Sequence, residues 1–487
     1  MTRNGKDGDR TAAFASCSCG TAGADVDLVV CGAGSAGFSA AITAAEQGAR
    51  VLLIGDGTIG GTCVNIGCVP SKALIRAAEA LHAVRHARRF AGIRTEGRLV
   101  DWSALVAQKD ELVAALRRKK YVDLLPAYPT ITYREGRARL VDGGVAIGDE
   151  IVRCPRVIIA TGARPAIPAI PGLAEVPYLT STTALSLDRL PAHLVVLGGG
   201  YIGCELAQAF RRFGARVTIV DMAPILAAAE PEIRSVLRKA FQAEDIVLHE
   251  ETQVVAVSGS GGRVTLDLDQ GGHRFQLTAD ALLVAAGRRA NTEGLGLEEM
   301  GIATRADGRI RVDAHMQTTR PGIYAAGDVT DRDPFVYMAA HGARIAALNA
   351  LGGNRHRYDN HAMPWVVFTD PEIAAVGLSE EAARAAGHAV VSRVLPLDEV
   401  PRALVARDTR GVIKLVAEAD SERLLGAQIA APHGADTIQT AALAIKTGMR
   451  VADLAETIFP YLTLVEGLKL AAQTFTKDVA KLSCCAG

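Results

Sequence analysis

The chain has 487 residues, 49% hydrophobic and 22% charged, enough for about three packed domains of ordinary size. Its 53 basic residues balance 53 acidic ones, so it offers no electrostatic footprint for nucleic acid or an anionic membrane surface; RRKK at 117–120, the largest basic cluster, reads as a solvated helix end. No apolar run reaches the roughly 18 residues of a membrane span, and the polar start MTRNGKDGDR lacks a signal-peptide core, so a cytoplasmic protein without membrane insertion is expected.

In chain order, residues 1–24 are expected to form a flexible tail, with incidental cysteines in CSCG at 16–19. Residues 27–57 read as an apolar strand, a turn with Gly32, Gly34 and Gly37, an Ala-rich helix ended by Gly48, and a second apolar strand. The same pattern recurs at 193–222, where Gly198, Gly200, Gly203 and Gly214 keep the offsets and GARV follows at the same place. One glycine fingerprint is a weak signal. Its repetition, with strands on both sides, predicts two dinucleotide-binding βαβ units whose glycines admit a pyrophosphate to the helix N-terminus. An acidic residue closing the second strand holds ribose hydroxyls. Asp221 takes that place in the second unit and favours NADH; in the first the offset falls on Gly55, with Asp56 one step later.

Between the units lies GGTCVNIGCVPSKALIRAAEA (60–80). Cys63 and Cys68 would share one side of a turn if the segment is helical, close enough for a small disulfide. Two buried small hydrophobes or a zinc half-site are the alternatives, but zinc requires further Cys or His nearby and none follows, so a redox pair fits better. The nine cysteines are odd in number and irregularly spaced, unlike a disulfide framework. Cys31, Cys154 and Cys204 sit in or beside apolar patterns and read as buried small hydrophobes. From Ala362 onward there is no third fingerprint; alternating runs such as GVIKLVAEA precede helical ones such as TIQTAALAIKTGM, which predicts an α+β module.

The chain ends KLSCCAG. Adjacent Cα atoms lie about 3.8 Å apart, below the roughly 4.4–6.8 Å of a relaxed disulfide, so a Cys484–Cys485 bridge would be strained. Two thiols at one terminal point suit a soft, two-coordinate metal ion.

These motifs resemble the pyridine nucleotide-disulphide oxidoreductases: GGTCxNxGCxPSK at 60–72, VIIATGARP at 157–165 and TTRPGIYAAGDV at 318–329, within a likeness that spans about 25–487. The resemblance implies an α/β fold of two Rossmann-like domains and a C-terminal α+β dimerisation domain. FAD would be bound by 25–164 with 286–362, NAD(P) by 165–285, and a homodimer formed through 363–487. It places FAD on Gly32, Gly34, Gly37, Asp56 and Asp328, the last at the ribityl chain, and adds Gly61, Thr62, Thr161, Gly162 and Gly287 to the cofactor-binding set. The nicotinamide dinucleotide falls to Gly198, Gly200, Gly203 and Asp221, with Tyr201 as a gate or as packing at the helix start. Cys68 is implied as the charge-transfer thiolate, Cys63 as the interchange thiol, and Lys72 with Glu205 as the pair beside the reactive flavin nitrogen. The family implies NADPH where the ribose logic points to NADH, and both stay open.

Dithiol reductases of this family carry a C-terminal His-Pro-Thr-x-x-Glu motif. Here FPYLTLVEGLKLAAQ (459–473), aligned on Thr463 and Glu466, puts Tyr461 at the histidine position. A phenol titrating near 10 is a poor base for a dithiol where imidazole titrates near 6.5. A lipoamide dehydrogenase or other low-molecular-weight disulfide reductase therefore becomes the alternative. The LSCCAG ending, the 460–475 run and PYLTST at 177–182 instead resemble the branch that reduces mercury(II) in detoxification. That branch implies Hg(II) as a thiol-bound substrate, captured by Cys484 and Cys485 of one subunit and exchanged onto Cys63 and Cys68 of the other, with Tyr178 and Tyr461 assisting and Glu466 in the same motif.

Overall fold

The structure is a computed structural model that describes residues 25–478; the expected N-terminal tail with its CSCG, and Cys484 and Cys485, lie outside the described residues. The first fingerprint folds as β1 (Leu28–Cys31), α1 (Ser35–Glu46) and β2 (Val51–Gly55). Both strands are buried along their whole length, as expected when helices cover both faces of a parallel sheet. The sheet runs Ile323–Ala325, Val157–Ile159, β1, β2 and β3 (Ile131–Glu135), all parallel. The strand at 323–325 is thus supplied from beyond the second fingerprint. α1 packs along the helix Val336–Gly352, to which Ser39 Oγ donates a 2.8 Å hydrogen bond at the Ala340 carbonyl.

The second fingerprint builds a parallel sheet in the order Ile246–His249, Arg216–Val220, His193–Leu197, Ala281–Val284, Leu179–Thr180. Its helix, Tyr201–Phe213, buries all of one face and ends at Gly214. Chain entry and exit run side by side: Ala163–Pro165 pairs antiparallel with Arg288–Ala290. The C-terminal module is an antiparallel sheet ordered Pro364–Val367, Glu372–Gly377, Leu424–Ala431, Val412–Glu418, Val390–Pro396, against which the helices Gly434–Lys446 and Glu466–Gln473 pack. The fold is the expected α/β pair of Rossmann-like units with an α+β module.

Buried ion pairs join the second unit to the C-terminal module. Arg212, its side chain 3% exposed, donates to Glu244 at 2.7 Å and to Asp370 at 2.8 Å, and Arg410 reaches Asp370 at 3.1 Å. Lys414 Nζ lies 2.9 Å from carboxylate oxygens of both Glu230 and Glu380. At this burial, a charge left without its partner costs far more than the pair contributes.

Candidate active site: a thiol pair between two dinucleotide cradles

The two cysteines of the redox motif do not share one helical turn. α2 (Gly61–Ile66) carries Cys63, α3 (Cys68–His86) begins with Cys68, and Gly67 breaks the chain between them at φ −127°, ψ −116°. A Cβ on Gly67 would stand 2.9 Å from the Thr62 carbonyl oxygen, so only glycine lets α3 start so close behind α2. Asn65 braces the short helix: its Nδ2 donates to the Ile59 and Gly61 carbonyls at 2.9 and 2.8 Å, and its Oδ1 accepts from Arg117 at 3.3 Å.

Cys63 and Cys68 are free thiols. A hydrogen bond from the Cys63 thiol, together with the charge of Lys72, outweighs desolvation and draws Cys68 down to about 7. The same hydrogen bond, with burial, pushes Cys63 up. The pair therefore shares one proton near neutral pH, with the thiolate on Cys68 at the positive end of a 19-residue helix. Lys72, one turn further along, is fixed by Glu205: Nζ to Oε2 is 2.6 Å, while Glu205 Oε1 accepts from Phe368 N–H at 2.9 Å. Glu205 is buried, and the ammonium also lies 4.9 Å from the centre of the Phe368 ring.

The thiols open onto a cavity of about 1230 Å³ shared by both fingerprints, larger than the roughly 300–1,000 Å³ of an ordinary single-ligand pocket. Its two ends have the same mould. A Cβ on Gly32 would fall 2.2 Å from the Ala160 carbonyl oxygen and one on Gly198 2.5 Å from that of Ala285. One on Gly37 would fall 1.7 Å from the Gly32 carbonyl and one on Gly203 1.9 Å from that of Gly198. In each unit these contacts draw the helix N-terminus against the strand ends. Gly200 has nothing within 4 Å of such a Cβ and faces open space, as close approach of a pyrophosphate requires.

Most other predicted cofactor residues line the same cavity: Gly34, Asp56, Gly61, Thr62, Thr161, Gly162, Gly287 and Asp328 on one side, Tyr201 and Asp221 on the other. Thr161 and Asn291 clasp each other through side-chain to backbone bonds of 2.8 and 2.9 Å. Tyr201 stacks on Trp365 at 5.3 Å, and burial pushes its phenol up to about 12. Gly55 is glycine because a Cβ there would meet the Tyr133 hydroxyl at 2.8 Å, which leaves Asp56, exposed just past β2, as the acid at that end.

One residue of the cavity wall and one that packs behind it escaped the sequence. Arg288 lines the cavity, its buried Nε 3.4 Å from Asp328 Oδ2 and its Nη2 donating to the Ala163 carbonyl, so it orients the Asp328 carboxylate. The adjacent Gly287 was the available signal. Tyr121, on the π-helical turn Arg118–Val122, packs 4.9 Å from Phe38 and against Gly60, the residue capping α2; nothing in its local sequence marks it.

Two predicted residues lie outside the cavity lining. Tyr178 packs, partly buried, against the apolar cluster beneath the second unit and does not line the cavity. Glu466 does not face the cavity either; its buried carboxylate accepts from Leu462 N–H at 3.2 Å and fixes the loop that presents Tyr461, 49% exposed, beside a left-handed Leu462 at φ +61°.

A two-fingerprint fold with a dithiol between the cradles defines a flavin- and nicotinamide-dependent dithiol oxidoreductase. Residues 26–347 match the family Pyridine nucleotide-disulphide oxidoreductase and 363–472 its dimerisation domain, so the chain belongs to that family, whose cofactors are FAD and NAD(P)H. Among its relatives is a mercuric reductase of Streptomyces lividans, 47% identical over 470 residues covering 95% of this chain and 98% of the relative. A mercuric reductase of Shigella flexneri is 48% identical over 478 residues, 96% of this chain and 84% of the relative. Among solved structures, the Cu(II) complex of the HOCl-induced flavoprotein disulfide reductase RclA from Escherichia coli superposes with TM-score 0.82 at 31% identity, covering 93% of this chain and 99% of the other. LpdA from Mycobacterium tuberculosis superposes with TM-score 0.83 at 28% identity, covering 93% and 100%. No helix among the described residues is long and apolar enough to cross a membrane.

Proposed function

We propose that the chain is a mercury(II) reductase working on thiol-bound Hg(II). The observation that carries this reading is the Cys63–Cys68 pair, opening onto the shared cavity with the Cys68 thiol drawn down toward neutral pH. Its relatives that bear the name mercuric reductase supply the substrate. FAD, when bound, carries two electrons from the nicotinamide to the thiol end of the cavity. The balance is one Hg(II) bis-thiolate, one NAD(P)H and one proton giving Hg(0), NAD(P)+ and two free thiols.

The chain's own residues present, receive and hold the ion. Thiolates bind Hg(II) and thiols do not, so Cys68 is the first acceptor inside the cavity. As its sulfur takes the metal, one carrier thiolate departs; Cys63 then forms the second bond, its proton passing to one departing carrier, while the second carrier leaves as a thiolate. Lys72, held by Glu205, keeps a positive charge at this end of the cavity. Capture outside falls to Cys484 and Cys485 of one subunit of a homodimer, with exchange onto Cys63 and Cys68 of the other. Tyr461, on the loop fixed by Glu466, stands along that transfer.

The test is mercury-dependent oxidation of NAD(P)H by purified protein with release of volatile mercury. Oxidation driven by lipoamide or another small disulfide, with no mercury released, would establish the alternative.

A further inference from the structure

We propose that Asp221 makes the second dinucleotide site selective for NADH over its 2′-phosphorylated form. The inference rests on the family assignment of that site and not on the metal substrate.

Asp221 closes the strand Arg216–Val220, and both of its oxygens are oriented by backbone. Oδ2 accepts from Gly199 N–H at 2.5 Å and Oδ1 from Ala223 N–H at 2.8 Å. Each oxygen keeps a lone pair, and the carboxylate lines the cavity at the end where the ribose of a dinucleotide on Gly198 and Gly200 belongs. A 2′-hydroxyl can donate to it. A 2′-phosphate, with a charge of about −1.5 to −2, meets a like charge that two backbone bonds prevent from turning away.

No cation of the second fingerprint lines the cavity at this end, among the described residues. The cavity's Lys72, Arg137, Arg164 and Arg288 come from segments outside the second fingerprint. The nearest cations following Asp221, Arg234 and Arg238, do not line the cavity, and Arg238 is held by Glu250 at 2.7 and 2.9 Å. Met222, 73% exposed, occupies the neighbouring lining position with an apolar side chain.

The test is calorimetric titration of the oxidised, FAD-loaded protein with NAD+ and, separately, NADP+, with no mercury present. NAD+ is expected to bind at least about tenfold more tightly. Asp221→Asn should shrink that ratio to within about threefold, and Met222→Lys, at an exposed position, should tighten NADP+ at least about fivefold while leaving NAD+ unchanged. Equal or tighter binding of NADP+ by the unaltered protein, a ratio that neither substitution moves, or binding of neither dinucleotide would overturn the proposal. Because no metal enters the titration, its failure leaves the mercury reading untouched, and absence of mercury turnover leaves the binding ratio to be read.

Discussion

Lys72 Nζ lies 2.6 Å from Glu205 Oε2, so the helix that begins at Cys68 and the helix of the second fingerprint, packed together, are also joined by an ion pair at the wall of the cavity. The pair holds a positive charge near the thiols, and the Glu205 carboxylate offsets part of it, raising the Cys68 thiol where Lys72 lowers it.

Removing that charge should raise the Cys68 thiol. In Lys72→Met, the pH profile for alkylation of the reduced protein by iodoacetamide should move upward by roughly one unit from its midpoint near 7. Reactivity rises with pH because only the thiolate is nucleophilic. An unmoved profile would assign the lowered value to Cys63 and the helix end alone.

Tyr178 and Tyr461 should behave differently. Tyr178→Phe removes a hydroxyl from a side chain packed on an apolar cluster, and mercury reduction should stay within about twofold of wild type. Tyr461→Phe, on an exposed loop, should lower it at least about tenfold. Rates of mercury release for the two variants make the comparison.

The double variant Cys484→Ala, Cys485→Ala should slow reduction of Hg(II) presented as a bis-thiol adduct at least about tenfold, while NAD(P)H-driven reduction of the Cys63–Cys68 disulfide proceeds as before. Wild-type rates on the thiol adduct would refute capture by the terminal pair.

Arg212→Ala would strand Glu244 and Asp370 as buried carboxylates facing one fewer cation, at a cost of about 3–5 kcal/mol. The thermal midpoint should fall accordingly. The loss should shrink at low pH: against desolvation that pushes it up, Arg410 and Arg212 hold Asp370 below its usual range, so its contribution is present above the unfolded pKa of about 4 and fades as pH falls through the folded value.

His82 sets a second acid limit. Burial, then the charges of Arg212 and His86, lower it to about 3, and its Nε2 has no hydrogen-bond partner. The unfolded chain takes up a proton near 6.5 that the folded chain refuses, so stability falls as pH drops below about 6.5 and goes on falling toward 3. His82→Leu should flatten the dependence of the thermal midpoint on pH across that window.

The sequence spelled out the two cradles and the thiol pair because both depend on local spacing: glycine offsets repeat, and a motif of thirteen residues holds Cys63, Cys68 and Lys72 together. It misplaced Cys63 and Cys68 on one helical turn because periodicity ignores the break at Gly67, which is imposed by contact with Thr62. Other features depend on residues far apart in the chain. Arg212 meets Asp370 across 158 positions, Asp328 meets Arg288 only when the two crossings pair, and the Tyr133 hydroxyl that makes residue 55 glycine comes from another strand. The matching string at 177–182 likewise says nothing about which way the Tyr178 ring turns, and the structure packs it on an apolar cluster outside the cavity lining.

The antiparallel pairing of Ala163–Pro165 with Arg288–Ala290 has a consequence for how such a molecule arises. The whole second unit leaves and rejoins its host one strand spacing apart, about 5 Å, so it is a cassette with a single splice point. A duplicated copy of the first fingerprint could enter there without disturbing the order of the host sheet, whose last strand, Ile323–Ala325, still finds its place beside Val157–Ile159. The glycine pattern shared by 27–57 and 193–222 gives host and cassette the same strand, turn and helix offsets.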